Sequence, residues 1–324
     1  MALITNFSEL QVPSTVKMMI YGQAGMGKST LALSAPKCAL FDFDGGVSRI
    51  KYPLRDLGAG VVQVNTWAKD VKEQLEQEAH QLDPYETIVV DTVGKMMDYI
   101  TAYKCGTRQP QLRDWGNINA EFQWFTRTLS MMGKNIIFVA HRDVRKEGDN
   151  NVYVPSLREK NYNSIVTELD LLGYLEMRND HGQETRTNTI DPTSRNDGKN
   201  TCGLPGVMNI PLVLDKNNRP IAPNNFITES IIKPFKGALQ ARQDEDRRYS
   251  EVMTEIGMAV DAITDADTAN LFIANIDTYA HVGSSKAKAG AMLAAKAKSL
   301  GLVLDKKTKS YTGPKQEKEN GDAA

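Results

Sequence analysis

The stretch Gly22-Gln23-Ala24-Gly25-Met26-Gly27-Lys28-Ser29, followed by Thr30, decides the fold prediction. It fills the phosphate-loop pattern G-x-x-x-x-G-K-[ST] at every fixed position. Gly22 and Gly27 permit backbone angles that let successive N–H groups turn inward around a phosphate. Lys28 is expected to reach the β- and γ-phosphates, and Ser29 to offer its hydroxyl to Mg²⁺. Gly22 to Thr30 are therefore predicted to bind a nucleotide, with ATP and Mg²⁺ as the expected cofactors.

The sequence on either side of this loop fits the motif. An apolar run over residues 16–21 is typical of a strand, and residues 30–35 favour a helix that stops at Pro36. Strand, loop and helix in this order are what a phosphate loop requires. A glycine-rich turn without a ligand is the alternative, and the flanking elements argue against it.

Further along the chain, short apolar strands alternate with helices and end in polar residues. These strand-end residues are Asp42, Asp44, Asp91 and His141. Alternation of this kind predicts an α/β fold with a mostly parallel sheet covered by helices on both faces. Ligands bind at the carboxyl ends of the strands in such sheets. The four polar residues and the phosphate loop are thus expected to form one site.

Each strand-end residue has a chemical role and a structural alternative. Asp91 is predicted to hold Mg²⁺ together with Ser29, although a carboxylate here could instead cap the next helix. Asp44 is the preferred base for the attacking water, because it lies nearer the following glycines than Asp42 does. A solvated turn aspartate is the alternative for Asp44. His141 is predicted to hydrogen-bond the γ-phosphate, or to be an ordinary strand-end histidine.

Composition and charge set broader limits. The chain has 324 residues, 41% of them hydrophobic and 24% charged, which is ordinary for a globular protein. A net charge of −1 gives no global argument for nucleic acid. Three widely spaced cysteines indicate a reducing compartment without a disulfide framework. The sequence has neither a membrane-spanning run nor a signal segment, so we expect a cytoplasmic protein without membrane contact.

Several segments together resemble one family, the phage-type RecA-like ATPases. These are single-domain, remote RecA relatives associated with single-strand annealing and recombination. The resemblance covers roughly residues 14–215. The segments that carry it are Gly22–Thr30, Leu40–Gly46, Ile88–Thr92, Asp114-Trp115-Gly116, Ile136–His141 and Glu168–Leu175. The resemblance implies a RecA-like P-loop NTPase core that hydrolyses ATP, with Lys28, Asp44, Asp91 and His141 as its catalytic residues.

The resemblance also implies partners. RecA-like proteins bind single-stranded DNA through the loops that here would be 105–116 and 142–160. The candidate DNA contacts in the second loop are Arg142, Arg145 and Lys146, although acidic neighbours nearly balance their charge. A mobile solvated loop is the alternative. The bacterial host cytoplasm is the expected location if the chain is phage-encoded.

Hydrolysis in RecA-like proteins takes place between adjacent subunits, which predicts a homo-oligomeric ring or filament. Arg195 and Lys199 lie in a turn-rich segment and are the candidate cations for a neighbour's nucleotide. A single-strand-binding protein is a further candidate partner.

The predicted domains are a RecA-like ATP-binding core over 1–235, a mainly helical C-terminal region over 236–315 and a disordered tail over 316–324. From Ser284 to Lys318 there are nine lysines against two acids, while 249–281 is acidic. The basic segment is predicted to end in a hairpin, where Lys306, Lys307 and Tyr311 are candidate DNA contacts. Docking of the basic segment onto the acidic helices is the alternative.

Two other functions remain open at this stage. One is a different P-loop enzyme, such as a helicase, a packaging motor or a small-molecule kinase. The other is a nucleotide-gated binding protein with little turnover. The rate of ATP hydrolysis with and without single-stranded DNA separates these possibilities.

Overall fold

The computed structural model describes residues 15–180 and 183–313. Residues 1–14, 181–182 and 314–324 lie outside them, and so does the predicted tail over 316–324. The chain divides into two compact units, with the boundary between Ala238 and Leu239 inside one long helix. We call them the sheet unit (Pro13–Ala238) and the C-terminal unit (from Leu239). The sequence predicts a boundary at 235, three residues earlier.

The sheet unit contains most of the secondary structure. Its strands are β1 (Lys17–Gly22), β2 (Cys38–Asp42), β3 (Gly60–Gln63), β4 (Thr87–Asp91), β5 (Asn135–Glu147), β6 (Asn150–Pro155), β7 (Leu171–Asp180), β8 (Gln183–Thr189), β9 (Lys199–Asn200) and β10 (Val207–Ile210). Its helices are α1 (Lys28–Ala32), α2 (Leu54–Leu57), α3 (Gln74–Gln77), α4 (Val93–Cys105), α5 (Asp114–Met131) and α6 (Glu159–Glu168).

The ten strands form one sheet in the order β10-β8-β7-β1-β5-β4-β2-β3, with β6 paired to β5 and β9 to β7. The six strands from β7 to β3 in this order are parallel, because every pairing between neighbours among them is parallel. Strand β1, which leads into the phosphate loop, is central, and β5 separates it from β4. This arrangement confirms the predicted fold class, a RecA-like P-loop core with a mostly parallel sheet flanked by helices.

Both faces of the central strands are buried, which explains why they are continuous apolar runs. On one face α4 and α5 pack on the sheet, and an aromatic cluster there contains Phe41, Phe43, Trp67 and Phe125. Near α1, Asn224 Nδ2 donates to the carbonyl of Thr30 at 2.7 Å. The packing fixes the carboxyl ends of β1, β2, β4 and β5 in one row.

The structure corrects both predicted loops near this row. Residues 142–160 are not one long loop, because β5 continues to Glu147 and pairs with β6 as an antiparallel hairpin. The other predicted loop, 105–116, ends earlier, because Asp114-Trp115-Gly116 is the start of α5. Residues 171–172 begin β7, which lies against β1 with buried apolar side chains.

The C-terminal unit is mainly helical, as the sequence predicts. It contains the larger part of α7 (Lys233–Asp261), then α8 (Ala266–Asn275), α9 (Ser285–Ser299) and a hairpin of β11 (Val303–Asp305) and β12 (Ser310–Thr312). Its core is apolar and includes Ile256, Phe272, Leu293 and Tyr311. Asp265 and Thr268 form a capping box at the start of α8.

Candidate nucleotide site

The phosphate loop connects β1 to α1. Gly25 and Gly27 have positive φ angles of 80° and 79°, which residues with a Cβ adopt poorly. Gly22 is a different case from the one predicted, because its φ is not positive. A Cβ there would lie 2.5 Å from the backbone oxygen of Leu175 on β7. Gly22 is thus required by close strand packing, whereas Gly25 and Gly27 are required by the curvature of the loop.

Lys28 is the central cation of this loop. Its side chain is only 6% exposed, and Nζ donates to the carbonyl oxygen of Gln23 at 2.8 Å. Burial lowers the pKa of Lys28, against the opposing effect of the Asp91 and Asp44 carboxylates. The ammonium is held inside the loop, where the motif places the β- and γ-phosphates.

Asp91 ends β4 and faces the loop. Its side chain is 7% exposed and accepts a hydrogen bond from the hydroxyl of Ser29. Burial raises the pKa of Asp91, since little water reaches the carboxylate. A hydroxyl and a carboxylate side by side are the hard oxygen ligands that Mg²⁺ prefers. The pair therefore fits the predicted ion, with phosphate and water oxygens as its remaining ligands.

Asp42 and Asp44 have different surroundings. Asp42 is buried, and its two oxygens accept from the backbone N–H groups of Gly46 at 2.9 Å and Val47 at 3.1 Å. Both oxygens thus hold the turn after β2. Asp44 is half-buried, lines the cleft beside the loop and lies 3.4 Å from Arg49. Asp44, whose Oδ2 is paired with Arg49, is therefore the carboxylate of the two that faces the cleft and can meet a water molecule there.

His141 lies directly beside the start of the phosphate loop, because Gly22 of β1 pairs with His141 of β5. Its ring lines the same cleft. Partial burial and the charge of Lys28 lower the pKa of His141. The imidazole is therefore neutral near pH 7 and has one N–H available to donate.

These groups line one cleft with a volume of about 660 Å³. The structure brings together in it every predicted catalytic and metal residue. Three contributors were not identified from the sequence: the segment Arg49–Lys51, a segment at Leu212–Leu214 with Asn218, and Arg186 on β8. Arg186 lies in a strand of polar residues only, so no local pattern marks it. Its position depends on the pairing of β8 with β7.

Two of the candidate DNA residues have partners within the chain. Arg142 Nη1 donates to the Tyr174 hydroxyl at 3.0 Å and Nη2 to Gln23 Oε1 at 3.3 Å, while the guanidinium lies over Tyr153. Arg145 forms ion pairs with Glu147 and Asp197. Lys146 is exposed on the β5–β6 hairpin.

The two candidate cations for a neighbour's nucleotide differ in whether they already have partners within the chain. Lys199 Nζ donates to the carbonyl oxygens of Val166 and Thr167 at 2.9 and 3.0 Å, where it satisfies the end of α6. Arg195 is exposed, so its side chain is accessible to a neighbour.

In the C-terminal unit the structure corrects one prediction. Tyr311 is 8% exposed and belongs to the apolar core of the unit, so its ring is not available for base stacking. Lys306 and Lys307 are exposed at the hairpin turn. Basic α9 forms contacts with neighbouring segments of the same unit, among them the ion pair Lys286–Asp277. These contacts favour the docking alternative for α9.

Comparison with known proteins agrees with this site. A family model described as "AAA domain" matches residues 14–202, more than half of the chain. The chain belongs to this AAA domain family. It is therefore a member of a P-loop ATPase family. Among the described residues, no helix is long and apolar enough to span a membrane.

One curated relative comes from a prophage. It is the SPbeta prophage-derived uncharacterized protein YorG of Bacillus subtilis (strain 168), which is 27% identical over 167 residues. The match covers 48% of this chain and 49% of the relative, so the chain spans about half the length of that protein.

Solved structures with similar folds include two archaeal proteins. The KaiC-like protein PH0186 of Pyrococcus horikoshii OT3 has 12% identity and a TM-score of 0.36, over 60% of this chain and 89% of that one. The flagellar accessory protein FlaH of Methanocaldococcus jannaschii has 13% identity and a TM-score of 0.35, over 63% and 93%.

Proposed function

We propose that this protein binds ATP with Mg²⁺, hydrolyses it, and uses the cycle to act on single-stranded DNA in phage-type recombination or strand annealing. The observation that carries the ATPase part is the convergence of buried Lys28, the Ser29–Asp91 pair, Asp44 and His141 on one cleft. Family membership supports the same chemistry.

Each residue has a defined part in this proposal. Lys28 stabilises the negative charge that develops on the γ-phosphate. Asp44 orients and deprotonates the attacking water, because Asp42 is already committed to two backbone N–H groups. Ser29 and Asp91 would hold Mg²⁺, which when bound neutralises phosphate charge. Neutral His141 donates a hydrogen bond to the γ-phosphate, and this hydrogen bond is lost after hydrolysis.

The DNA part is supported by a connection between the phosphate loop and the β5–β6 hairpin. Gln23 belongs to the loop and accepts from Arg142, which directly follows His141 at the base of the hairpin. A change in the loop on hydrolysis would therefore alter the hydrogen bond between Arg142 and Gln23. The exposed hairpin carries Lys146 and lies where the RecA-like resemblance puts a DNA-binding loop. The prophage origin of the relative agrees with a phage role, and with the bacterial host cytoplasm as location.

The deciding experiment is steady-state ATP hydrolysis by the full chain with Mg²⁺, with and without single-stranded DNA. We expect hydrolysis that DNA stimulates. Turnover without a response to DNA would favour another P-loop enzyme, and a strand-unwinding gel assay would identify a helicase. Tight ATP binding without turnover would favour a nucleotide-gated binding protein.

Assembly is a further part of the proposal. We expect ATP and DNA to promote a homo-oligomeric ring or filament, with Arg195 of one subunit near the nucleotide of the next. Arg195→Ala is the cleaner test, because Lys199→Ala would also remove the hydrogen bonds that end α6. Sedimentation and ATP turnover should both change in Arg195→Ala. A fully active monomer would contradict this part. A single-strand-binding protein stays a candidate partner.

A further inference from the structure

Arg186 is a cation in the cleft that neither the motif nor the strand ends identify. It lies on β8, where it pairs with Met177 of β7 and Ile210 of β10. Only β7 separates β8 from β1. A Cβ at Gly27 would lie 3.0 Å from Arg186 Nη1 and 3.4 Å from Cζ. The guanidinium therefore lies directly against the phosphate loop of its own chain.

The electrostatic state of Arg186 is unusual. Its Nε is buried and has no hydrogen-bond partner among the described residues. Burial lowers the pKa of Arg186, whereas the carboxylates of Glu147 and Asp197, which accept hydrogen bonds from Arg145, raise the pKa of Arg145. A guanidinium stays charged in proteins, and a partly buried one without a counter-ion, as Arg186 is within the described part of the chain, is unfavourable. An anion that enters the cleft would supply the missing partner.

The position of Arg186 complements the other charged groups. Asp91 and Asp44 approach the loop from the β4 and β2 side of β1, while Arg186 approaches from the β7 and β8 side. A phosphate chain in the loop would have the Mg²⁺ ligands on one side and this guanidinium on the other. A planar guanidinium matches the geometry of phosphate oxygens and can donate two hydrogen bonds to them.

We propose that Arg186 binds the phosphate chain of the nucleotide held by its own subunit, as a further cation beside Lys28. This inference rests on the proposed ATP binding and adds a residue to it. It differs from the expectation for Arg195 and Lys199, which concerns cations of a neighbouring subunit. Arg186 would act within its own subunit, whereas Arg195 would act from the next one.

Nucleotide titration of the purified full chain tests the proposal. Calorimetry with ATP and ADP in Mg²⁺ would compare wild type, Arg186→Ala and Arg186→Lys. We expect Arg186→Ala to weaken ATP binding by about 10- to 100-fold, since hydrogen bonds to charged groups are worth that much. The affinity of Arg186→Lys for ATP should lie between those of wild type and Arg186→Ala. A larger loss for ATP than for ADP would assign the contact to the γ-phosphate, and equal losses to the inner phosphates.

The matched control is Arg127→Ala, which removes an exposed arginine of α5 that does not line the cleft. It should bind ATP like wild type. The melting temperature without nucleotide separates a structural role from a binding role. Because Arg186 Nε is buried without a partner, Arg186→Ala should melt no lower than wild type. A lower melting temperature with unchanged ATP affinity would overturn the proposal.

A mixing experiment decides between the two subunits. If Arg186 acted on the nucleotide of a neighbour, a mixed assembly could contain complete sites. Each such site would combine the intact phosphate loop of an Arg186→Ala subunit with the intact Arg186 of a Lys28→Ala subunit. The mixture would then regain ATP turnover. We expect no gain over the sum of the two variants, and recovered turnover would overturn the assignment to the same subunit. Failure of wild type itself to bind ATP would instead refute the proposed function, and the inference with it.

Discussion

The two units of this chain differ in where their charged side chains lie. The sheet unit buries Lys28 and Asp91 at the mouth of a cleft. In the described part of the C-terminal unit, Ser285 is the single buried polar side chain, and its hydroxyl is hydrogen-bonded to the backbone N–H of Val282. The C-terminal unit has the more uneven charge sequence, yet its charges lie on the surface. Buried charged side chains that face a cleft therefore mark the site, whereas an excess of one charge in a segment of sequence does not.

A second comparison lies within the sheet unit. Glu121 is as buried as Asp91, but it accepts from Trp67 Nε1 at 2.9 Å and pairs with Lys72 at 3.0 Å and Lys104 at 2.6 Å. Its bonding capacity is used within the protein. Asp91 faces the cleft with the Ser29 hydroxyl beside it. Glu121 is thus a structural charge and Asp91 a ligand-binding charge.

The largest expected effect comes from Lys28→Ala. ATP turnover should fall by about 10³-fold, because the variant removes the buried cation that faces the γ-phosphate charge. Steady-state phosphate release measures this loss. Lys69→Ala, on an exposed lysine, is the control and should keep wild-type turnover. Near-normal hydrolysis by Lys28→Ala would mean that the cleft is not the ATPase site.

Glu121→Gln tests the distinction between structural and ligand-binding charge. Loss of one partner from a buried ion-pair network should lower the free energy of unfolding by about 3 kcal/mol. Urea unfolding measures this change. Turnover per folded molecule should stay at the wild-type rate, since Glu121 does not line the cleft. A catalytic defect without a loss of stability would break the comparison.

The same residue makes a pH prediction. Burial alone would raise the pKa of Glu121, but hydrogen bonds from Lys104, Trp67 and Lys72 outweigh it and hold the pKa below its usual value. The stabilisation is therefore complete above the unfolded-state pKa, about 4.3, and is lost as pH falls through the lower folded-state pKa. Unfolding followed between pH 3 and 6 should show a shallower dependence on pH for Glu121→Gln than for wild type.

The paired variants Asp44→Asn and Asp42→Asn separate two neighbouring carboxylates. Asp44→Asn should lower turnover by about 10²-fold with little change in ATP affinity, as expected for loss of a general base. Asp42→Asn should mainly weaken the turn after β2, because its oxygens accept from Gly46 and Val47. Turnover, ATP affinity and melting temperature measured on both variants give the ranking. The reverse ranking would make Asp42 the base.

The smallest expected effect concerns the exposed lysines of the C-terminal unit. If Lys306 and Lys307 touch DNA phosphates, their double alanine variant should lower the salt slope of single-strand binding by about 2. Deleting the whole basic segment is unsuitable, because it removes core residues such as Leu293 and Tyr311. Fluorescence anisotropy between 50 and 200 mM salt measures the slope, with Lys146→Ala as the comparison. An unchanged slope in the double variant would place the DNA contacts elsewhere.

Much of the fold could be predicted because its signals are local. Residues 87–91 form a strand that ends at Asp91, as predicted, since a continuous apolar run before a carboxylate fits a buried parallel strand. The β5–β6 hairpin was missed because the outer part of β5 is charged and exposed, which is typical of a loop, although Val152 and Val154 of β6 are buried. Tyr311 was misjudged because a lysine-rich neighbourhood gives no sign that one ring turns inward.

The sequence by itself determined the phosphate loop, the alternating α/β pattern and the polar strand ends. These depend on backbone freedom at glycine, on hydrophobic periodicity and on residue order, all of which are local properties. The tertiary structure decided which carboxylate faces the cleft, because both oxygens of Asp42 accept from backbone N–H groups of the turn after β2, whereas Asp44 lines the cleft beside Arg49. It also decided the place of Arg186, since pairing between strands far apart in sequence brings its guanidinium to Gly27. Contacts of that kind depend on register and packing, which no single segment of the chain encodes.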